Sequence, residues 1–421
     1  MRKQLAINGG RCVAKYDEWP KWPLYQPSFI DSLKTVLESY RWTVSGLYTG
    51  TTTFDEKFCE DFAKFNNVKY ALTVDHGTTA ILVALQALGI SYEDEVILPG
   101  LTWVSCATAI LRVNAKPVFV DIEESTLCID PIKVEEAITP KTRAILVVHL
   151  YCCMANMNHL KKISKKYNIP IIEDCSQAHG AIWEGKKAGS LGDIGIFSTQ
   201  QGKPFTCGEG GVIITNDYYL FNKMVLLKND GRALDKKVPI GYQQLREEAG
   251  IIGSNFALSE FQCAVLYENL KIFQQILSLQ RKNASILMDE LANIAGIKFL
   301  NPHPENTAQT YYHFIIKCKT SAFANASIST ICEAVSKELG VWIHPIYQPL
   351  YRHALFQVSK DGRFKYLALN NYNTMYLKAC ETEAAKGITI HHSLLLSTPS
   401  LLSKIVEAFR KVQKYSYELS P

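Results

Sequence analysis

Apolar and polar positions fall into two regimes along this chain. Up to about residue 215, short runs that are almost wholly apolar recur at residues 70–73, 95–99, 117–121, 144–149, 170–174, 194–197 and 211–215. Between them lie stretches that read as helices, at residues 54–65, 80–88, 102–113, 131–138 and 157–167. A strand without a polar face needs cover on both sides. Such strands alternating with helices predict an α/β fold, a mostly parallel, doubly wound sheet. In sheets of this kind, ligands sit beyond the carboxyl ends of the strands.

The remainder follows other patterns. Trp19-Pro20-Lys21-Trp22-Pro23-Leu24-Tyr25 is aromatic and proline-rich and predicts an extended arm. A helix over 29–39 and an aperiodic loop over 41–50 follow. Arm and loop either pack as surface or reach a partner subunit or a site, and the residues leave both readings open. Residues 236–250 are polar and predict a loop. Gly253-Ser254-Asn255-Phe256 opens a long helix running to about residue 291, with Ser259-Glu260 near its start. Beyond it come a strand over 311–317, a helix over 327–339 and a strand over 341–344. The division expected is a large domain with its N-terminal arm over residues 1–291 and a smaller α+β domain over 292–421.

Composition narrows the picture. The chain has 421 residues, 47% of them hydrophobic and 20% charged, which is ordinary for a globular protein with room for two domains. The net charge of +5, from 45 basic and 40 acidic residues, is weak and dispersed, and gives no case for nucleic acid or a membrane surface. No apolar stretch has the length of a membrane span, and the opening residues lack the apolar core of a signal peptide. Twelve cysteines are scattered without zinc spacing, so no metal is expected, and reduced thiols in a cytoplasm are.

The candidate chemistry lies between Ile171 and Gly211. Asp174 ends an apolar strand, where a carboxylate can hold a pyridinium nitrogen protonated. Lys203 stands between the apolar run at 194–197 and a cluster of glycines, where an amine can form a Schiff base. Together they are what a pyridoxal phosphate enzyme asks of its protein. Taken alone, Asp174 reads equally as a cap and Lys203 as a surface charge. Gly77-Thr78-Thr79 precedes an apolar helix, which suits either a plain helix start or a phosphate at free N–H groups. Trp103 follows a strand end, where it either packs in the core or stacks on a flat cofactor.

Two longer words resolve these choices. Phe197-Ser198-Thr199-Gln200-Gln201-Gly202-Lys203-Pro204-Phe205-Thr206-Cys207-Gly208-Glu209-Gly210-Gly211 resembles the Schiff-base lysine segment of the DegT/StrS-type aminotransferases. Glu173-Asp174-Cys175-Ser176-Gln177-Ala178-His179-Gly180 resembles that family's ring-binding segment. The resemblance extends from about Trp19 to Leu402. It implies fold type I, pyridoxal phosphate as cofactor, an amino donor and a keto acceptor as substrates, and a homodimer with sites at the interface. By the same resemblance Lys203 is the Schiff-base lysine and the proton carrier, and Asp174 the partner of the ring nitrogen. Gln177 stands near the ring hydroxyl and Trp103 stacks on the ring. Gly77, Thr78 and Ser198 bind the phosphate, and Asn255 reaches the phosphate of the neighbouring subunit. His76 replaces the usual Ser or Asn before the glycine, and Cys207 replaces a smaller or hydroxylated residue.

Some members of that family are dehydratases with a histidine in place of the lysine, a reading that Lys203 opposes. A non-enzymatic regulator would be expected to lose Asp174 or Lys203, and both are present. For the acceptor, the words His149-Leu150-Tyr151-Cys152-Cys153-Met154-Ala155-Asn156-Met157 and Ile390-His391-His392-Ser393-Leu394-Leu395-Leu396 depart from the sugar-nucleotide branch. They resemble the branch that aminates free carbocycles, the L-glutamine:scyllo-inosose and 2-deoxy-scyllo-inosose aminotransferases of aminocyclitol antibiotic pathways, and the related aminohydroxybenzoate synthases. A compact polar pocket built from His344, Tyr347 and His392 is expected to read the acceptor's hydroxyls. His391-His392 also fits a structural strand end. The alternative acceptor is a nucleotide-linked keto-sugar, with glutamate as donor.

Overall fold

The computed structural model describes residues 4–248, 250–356, 358–367 and 372–419. In chain order the helices and strands are α1 (Ser28–Glu38), α2 (Phe54–Asn66), β1 (Tyr70–Val74), α3 (Gly77–Ala87), β2 (Glu95–Pro99), α4 (Ser105–Arg112), β3 (Lys116–Val120), α5 (Pro131–Glu136), β4 (Thr142–Val148), α6 (Met157–Tyr167) and β5 (Ile171–Asp174). A small hairpin, β6 (Ile182–Trp183) and β7 (Lys186–Lys187), precedes β8 (Ile194–Ser198), β9 (Gly211–Thr215), α7 (Tyr218–Lys228), β10 (Arg232–Leu234), β11 (Leu245–Glu247) and α8 (Glu260–Leu291). The rest comprises β12 (Ile297–Phe299), β13 (His313–Cys318), α9 (Ile328–Leu339), β14 (His344–Pro345), α10 (Lys378–Ala384), β15 (Gly387–His391) and α11 (Pro399–Lys414).

The main sheet has the order β1-β9-β8-β5-β4-β2-β3. Only β9 runs against the others. The expected mostly parallel sheet is therefore present, and its strands coincide with the apolar runs within a residue or two. Strand β2 is buried at every position, as a strand covered on both faces must be. Register brings the carboxyl ends together: Asp174 lies opposite Val148 on one side and Ile196 on the other.

The long helix begins later than its sequence suggested. Ser259 is extended (φ −74°, ψ 150°) and its side chain caps the helix by accepting from the Gln262 N–H, so α8 starts at Glu260. Residues 253–258 instead run beside neighbouring chain, with Asn255 bridged to Asn229. A Cβ on Gly253 would stand 2.5 Å from both the Gly231 nitrogen and the Leu226 oxygen, so only glycine permits that approach. Helices α7, α10 and α11 were not anticipated, and strand β15 only as a strand end at His391-His392. Strand β15 is the middle of the second sheet, order β12-β13-β15-β14. The strand expected over 341–344 shrinks to two residues, because β15 pairs with it only at His344 and Pro345.

Two hydrophobic cores result. One surrounds the main sheet, and it includes Leu350, Tyr351 and Phe356 from the later chain. The other joins the end of α8 to the second sheet, α9 and α11, and it includes Leu5, Ala14 and Trp19. The N-terminal arm thus folds back on its own chain: the Trp19 indole N–H donates to the Leu339 carbonyl at 2.7 Å, and the Ala6 N–H to Glu338 at 2.8 Å. Among the described residues, no helix is long and apolar enough to cross a membrane.

Candidate active site

The site forms where β4, β5 and β8 end. Asp174 is the last residue of β5 and is 5% exposed. Its Oδ1 accepts the Ser176 N–H at 2.9 Å, and its Oδ2 accepts the Cys106 thiol at 3.2 Å. Burial, and after it the Asp174 charge, pushes that thiol well above its ordinary pKa, while Lys203 pulls the other way. Cys106 therefore senses both the acid and the lysine.

The neighbouring Glu173 points elsewhere and does another job. It accepts the N–H groups of Gly189, Leu191 and Gly192 at 3.0, 2.7 and 2.5 Å and pairs with His149 at 3.0 Å, pinning the turn that feeds β8. His149, Glu173 and Cys175 lie within 4.8 Å of one another. Their donor capacity is taken up by the chain, since His149 Nδ1 also accepts the Ala155 N–H at 3.2 Å.

Lys203 follows β8 on a turn fixed from several sides. Its own N–H donates to the Gln200 carbonyl at 2.8 Å. The Gly202 N–H donates to Gln200 Oε1 at 2.7 Å, and Asn269 from α8 donates to the Thr206 carbonyl at 2.8 Å. The arm takes part as well, because the Trp22 indole N–H donates to the Gln201 carbonyl at 2.7 Å. The Lys203 side chain is buried, and its Nζ stands 4.0 Å above the ring of Tyr312.

At the start of α3, His76 is extended and its side chain makes no capping bond, so the first N–H groups of the helix keep their capacity for an anion. A Cβ on Gly77 would lie 2.5 Å from the Ser198 Cβ, so the helix start is pressed against the end of β8. Thr78 belongs to the same turn. Asp75 and Glu209 stand 3.5 and 3.8 Å from the His76 ring.

The other expected residues separate into two groups. Gln177 is buried beside the site, and its Oε1 accepts the Tyr151 N–H at 2.7 Å. Trp103 is 45% exposed, with its ring 5.8 Å from that of Tyr347. Gln177 lies three residues past Asp174, and Trp103 two residues before the start of α4, whose Cys106 meets Asp174. Asn255 is exposed, and the adjoining Phe256 carbonyl accepts the Asp75 N–H at 3.0 Å, just before α3.

His392 does not face the open cleft. It is fully buried, its Nε2 meets the Gly202 carbonyl at 3.1 Å, and its Nδ1 meets Gln280 at 3.2 Å. One ring nitrogen holds the lysine turn and the other is held by α8, which corrects its expected place in an acceptor pocket. His344 is half-buried, stacked on Trp342 at 4.0 Å, with Nδ1 against the Pro345 carbonyl. Burial lowers the pKa of His344, takes His391 down to about 4, and takes His313 and His392 well below the ordinary imidazole value. Three of these imidazoles belong to strands β13, β14 and β15, and the fourth, His392, joins that sheet to the lysine turn.

Sequence reading missed Cys106, Tyr151 and Tyr312. Cys106 carried no signal, because a cysteine in an apolar helix reads as core. Tyr312 was visible only as part of a strand.

A buried carboxylate at a strand end, a lysine on a fixed turn, a helix start crowded against Ser198 and a half-exposed indole fit the parts of pyridoxal phosphate: ring nitrogen, aldehyde, phosphate and ring face. The chain belongs to the DegT/DnrJ/EryC1/StrS aminotransferase family, whose profile matches residues 25–378. It is 40% identical over 427 residues to the L-glutamine:2-deoxy-scyllo-inosose aminotransferase of Streptoalloteichus tenebrarius, covering 100% of both chains. It is 40% identical over 410 residues to the enzyme of that name from Micromonospora echinospora, covering 97% of each. Among solved structures it is similar to 3-amino-5-hydroxybenzoic acid synthase, with a TM-score of 0.80 and 27% identity, over 94% of this chain and 99% of that one. The fold is that of the fold type I aminotransferases, the protein is an aminotransferase, and its cofactor is pyridoxal phosphate.

Proposed function

We propose that this aminotransferase moves an amino group from L-glutamine to the ketone of a free cyclitol of the scyllo-inosose type, in the making of an aminocyclitol. The observation that carries the reading is end-to-end similarity, 40% over 427 residues, to a relative named for that reaction. Tyr347, its ring 5.8 Å from that of Trp103, and the half-buried His344 would give the acceptor side the hydroxyl-reading polar groups that a small ring without a nucleotide needs.

Pyridoxal phosphate, when bound, supplies the electron sink and stores the amino group between the two half-reactions. Lys203 would anchor the cofactor through Nζ, and the same nitrogen would carry the proton. Asp174 keeps a proton on the ring nitrogen, with its carboxylate oriented by Cys106 and Ser176. Gln177 would hold the ring hydroxyl and Trp103 would cover the ring face. The N–H groups of Gly77 and Thr78 and the Ser198 hydroxyl hold the phosphate. His392 serves this reading by fixing the lysine turn rather than by touching the acceptor.

The enzyme acts as a homodimer with shared sites. Support comes from a line of exposed apolar side chains, Ile30, Leu37, Trp42, Leu47, Ile240 and Tyr242. The loop and the 240–242 turn are joined by the Tyr48 N–H to the Tyr242 carbonyl at 2.9 Å. Exposed apolar surface of this kind marks an interface, and Asn255 is exposed nearby in the chain. Residues 1–291 and 292–421 are read as the large and small domains, with α8 linking them. Twelve unpaired cysteines support a reducing, cytoplasmic setting.

The test is to load the enzyme with L-glutamine, remove the donor and offer 2-deoxy-scyllo-inosose, scyllo-inosose or a dTDP-4-keto-sugar. Return of the cofactor's original visible absorbance with a cyclitol is expected. Return with the nucleotide sugar alone would overturn the acceptor in favour of a nucleotide-linked keto-sugar, with glutamate as the donor to try. Return with none of them would direct the search to the aromatic precursor of an aminohydroxybenzoate synthase.

A further inference from the structure

Three tyrosines of the main core gather beside the lysine. Tyr151, just past β4, is fully buried and has φ +57°, a left-handed conformation that a bulky residue adopts only where its surroundings demand it. Its surroundings are hydrogen bonds at all three polar groups. The Tyr151 N–H donates to Gln177 Oε1 at 2.7 Å, its carbonyl accepts the Tyr312 N–H at 2.9 Å, and its hydroxyl accepts the Tyr347 N–H at 2.8 Å. Tyr312 is thereby fixed with its ring face 4.0 Å from Lys203 Nζ.

We propose that Tyr312 is a catalytic residue of this enzyme, its ring face holding the Lys203 amine whenever that amine is not covalently engaged, and that Tyr151 is the residue that positions it. The inference rests on the reading of Lys203 as the cofactor's anchor. A lysine that forms and leaves a covalent bond in every turnover needs a resting place that keeps it close without claiming its proton. A carboxylate would hold the amine charged. The Asp174 carboxylate is occupied by Cys106 and Ser176. An aromatic face attracts the ammonium through its quadrupole yet offers no base that competes for the proton, so the amine can switch between charged and neutral forms in place.

The test follows capture of pyridoxal phosphate by apoenzyme across pH, with borohydride trapping and peptide mapping. The variants are Tyr312→Phe, Tyr312→Leu and Tyr151→Phe. The titratable groups that share the amine's field, Cys106 from α4, His179, His313 from β13 and His392, together with Asp174 behind Cys106, are unchanged in all three. Tyr312→Phe keeps the face and is expected to label Lys203 as the wild type does. Tyr312→Leu is expected to lower the high-pH plateau rate by about tenfold and to move the half-maximal pH down by about half a unit, because the ammonium loses its support. Tyr151→Phe is expected to fall between them while melting near the wild-type temperature. Equal plateau and midpoint in Tyr312→Leu and wild type would overturn the proposal and leave the anchor standing. Label on a different lysine would overturn the anchor and this proposal together. Should Tyr312→Leu not fold, a series of increasingly fluorinated phenylalanines at position 312 varies the ring's field at constant shape; a midpoint flat across that series overturns the proposal equally.

Discussion

The Cys106 thiol donates to the Asp174 carboxylate at 3.2 Å, joining the first turn of α4 to the end of β5 across 68 positions of chain. With the Ser176 N–H on the other oxygen, the carboxylate is oriented before any cofactor arrives. The thiol is an apt donor there. Burial and the adjoining negative charge keep it protonated, so it does not compete as a second anion.

Replacing that thiol should therefore show in cofactor handling. Cys106→Ser keeps a donor and should retain most activity. Cys106→Val removes it and should lower kcat by about tenfold and weaken pyridoxal phosphate binding, since one oxygen of a buried carboxylate loses its partner. Titration of apoenzyme by absorbance checks the binding. Equal affinity in Val and Ser variants would make the contact incidental.

Asp174→Asn should still take up some cofactor but lose most turnover, because the amide cannot keep the ring nitrogen charged. Steady-state rates with L-glutamine measure this. Turnover like that of the wild type would remove Asp174 from the chemistry.

Mixing subunits that carry Lys203→Ala with subunits that carry Asn255→Ala tests the shared site. If Asn255 serves the neighbouring subunit, a mixed dimer holds one intact site and some activity returns. Confirmed exchange without recovery would confine the site to one chain, where the Asp75–Phe256 hydrogen bond already brings residue 256 beside the start of α3.

His392→Ala should destabilise the fold by about 2–4 kcal/mol, since it opens a cavity and removes the ring nitrogens that meet the Gly202 carbonyl and the Gln280 amide. Thermal melting checks it. A loss below about 0.5 kcal/mol would mean that the turn holds itself.

Stability should also depend on pH through the buried imidazoles. Their folded pKa values lie below the ordinary value, about 4 for His391 and about 3 for His179, so the unfolded chain binds protons more readily. Their contribution is complete above about pH 6.5 and is lost as pH falls from there toward the folded values. Glu260, pushed up to about 7 chiefly by burial, acts in the opposite sense. The comparison that isolates one imidazole is His391→Asn against the wild type in melts between about pH 7 and pH 4. The variant should lose less stability over that interval, and parallel curves would contradict the assignment.

The main sheet was legible in the chain because every one of its core strands is apolar on both faces, a pattern that few other arrangements tolerate. Asp174 and Lys203 were legible because each breaks such a run at its end, and because their surrounding words resemble a family. The second sheet was read only in part. Helix α11 buries one face and strand β15 is buried along nearly its whole length, yet neither stands out from the chain around it until the other elements supply the covering surface. Asn255 was placed in a helix because its segment leads into one, whereas a glycine approach that only folding creates keeps residues 253–258 extended. The sequence by itself determined the kind of sheet, the strand ends and the acid and the lysine there, since local apolar pattern dictates all of these. Tertiary structure alone decided that Cys106 would meet Asp174, that His392 would turn inward to the lysine turn, and that Tyr151 would bring Tyr312 beneath Lys203. Those contacts join residues 68, 190 and 161 positions apart, read as number differences between 106 and 174, 202 and 392, and 151 and 312. Over such separations no local propensity carries information, and only the packing of complete elements fixes which side chains meet.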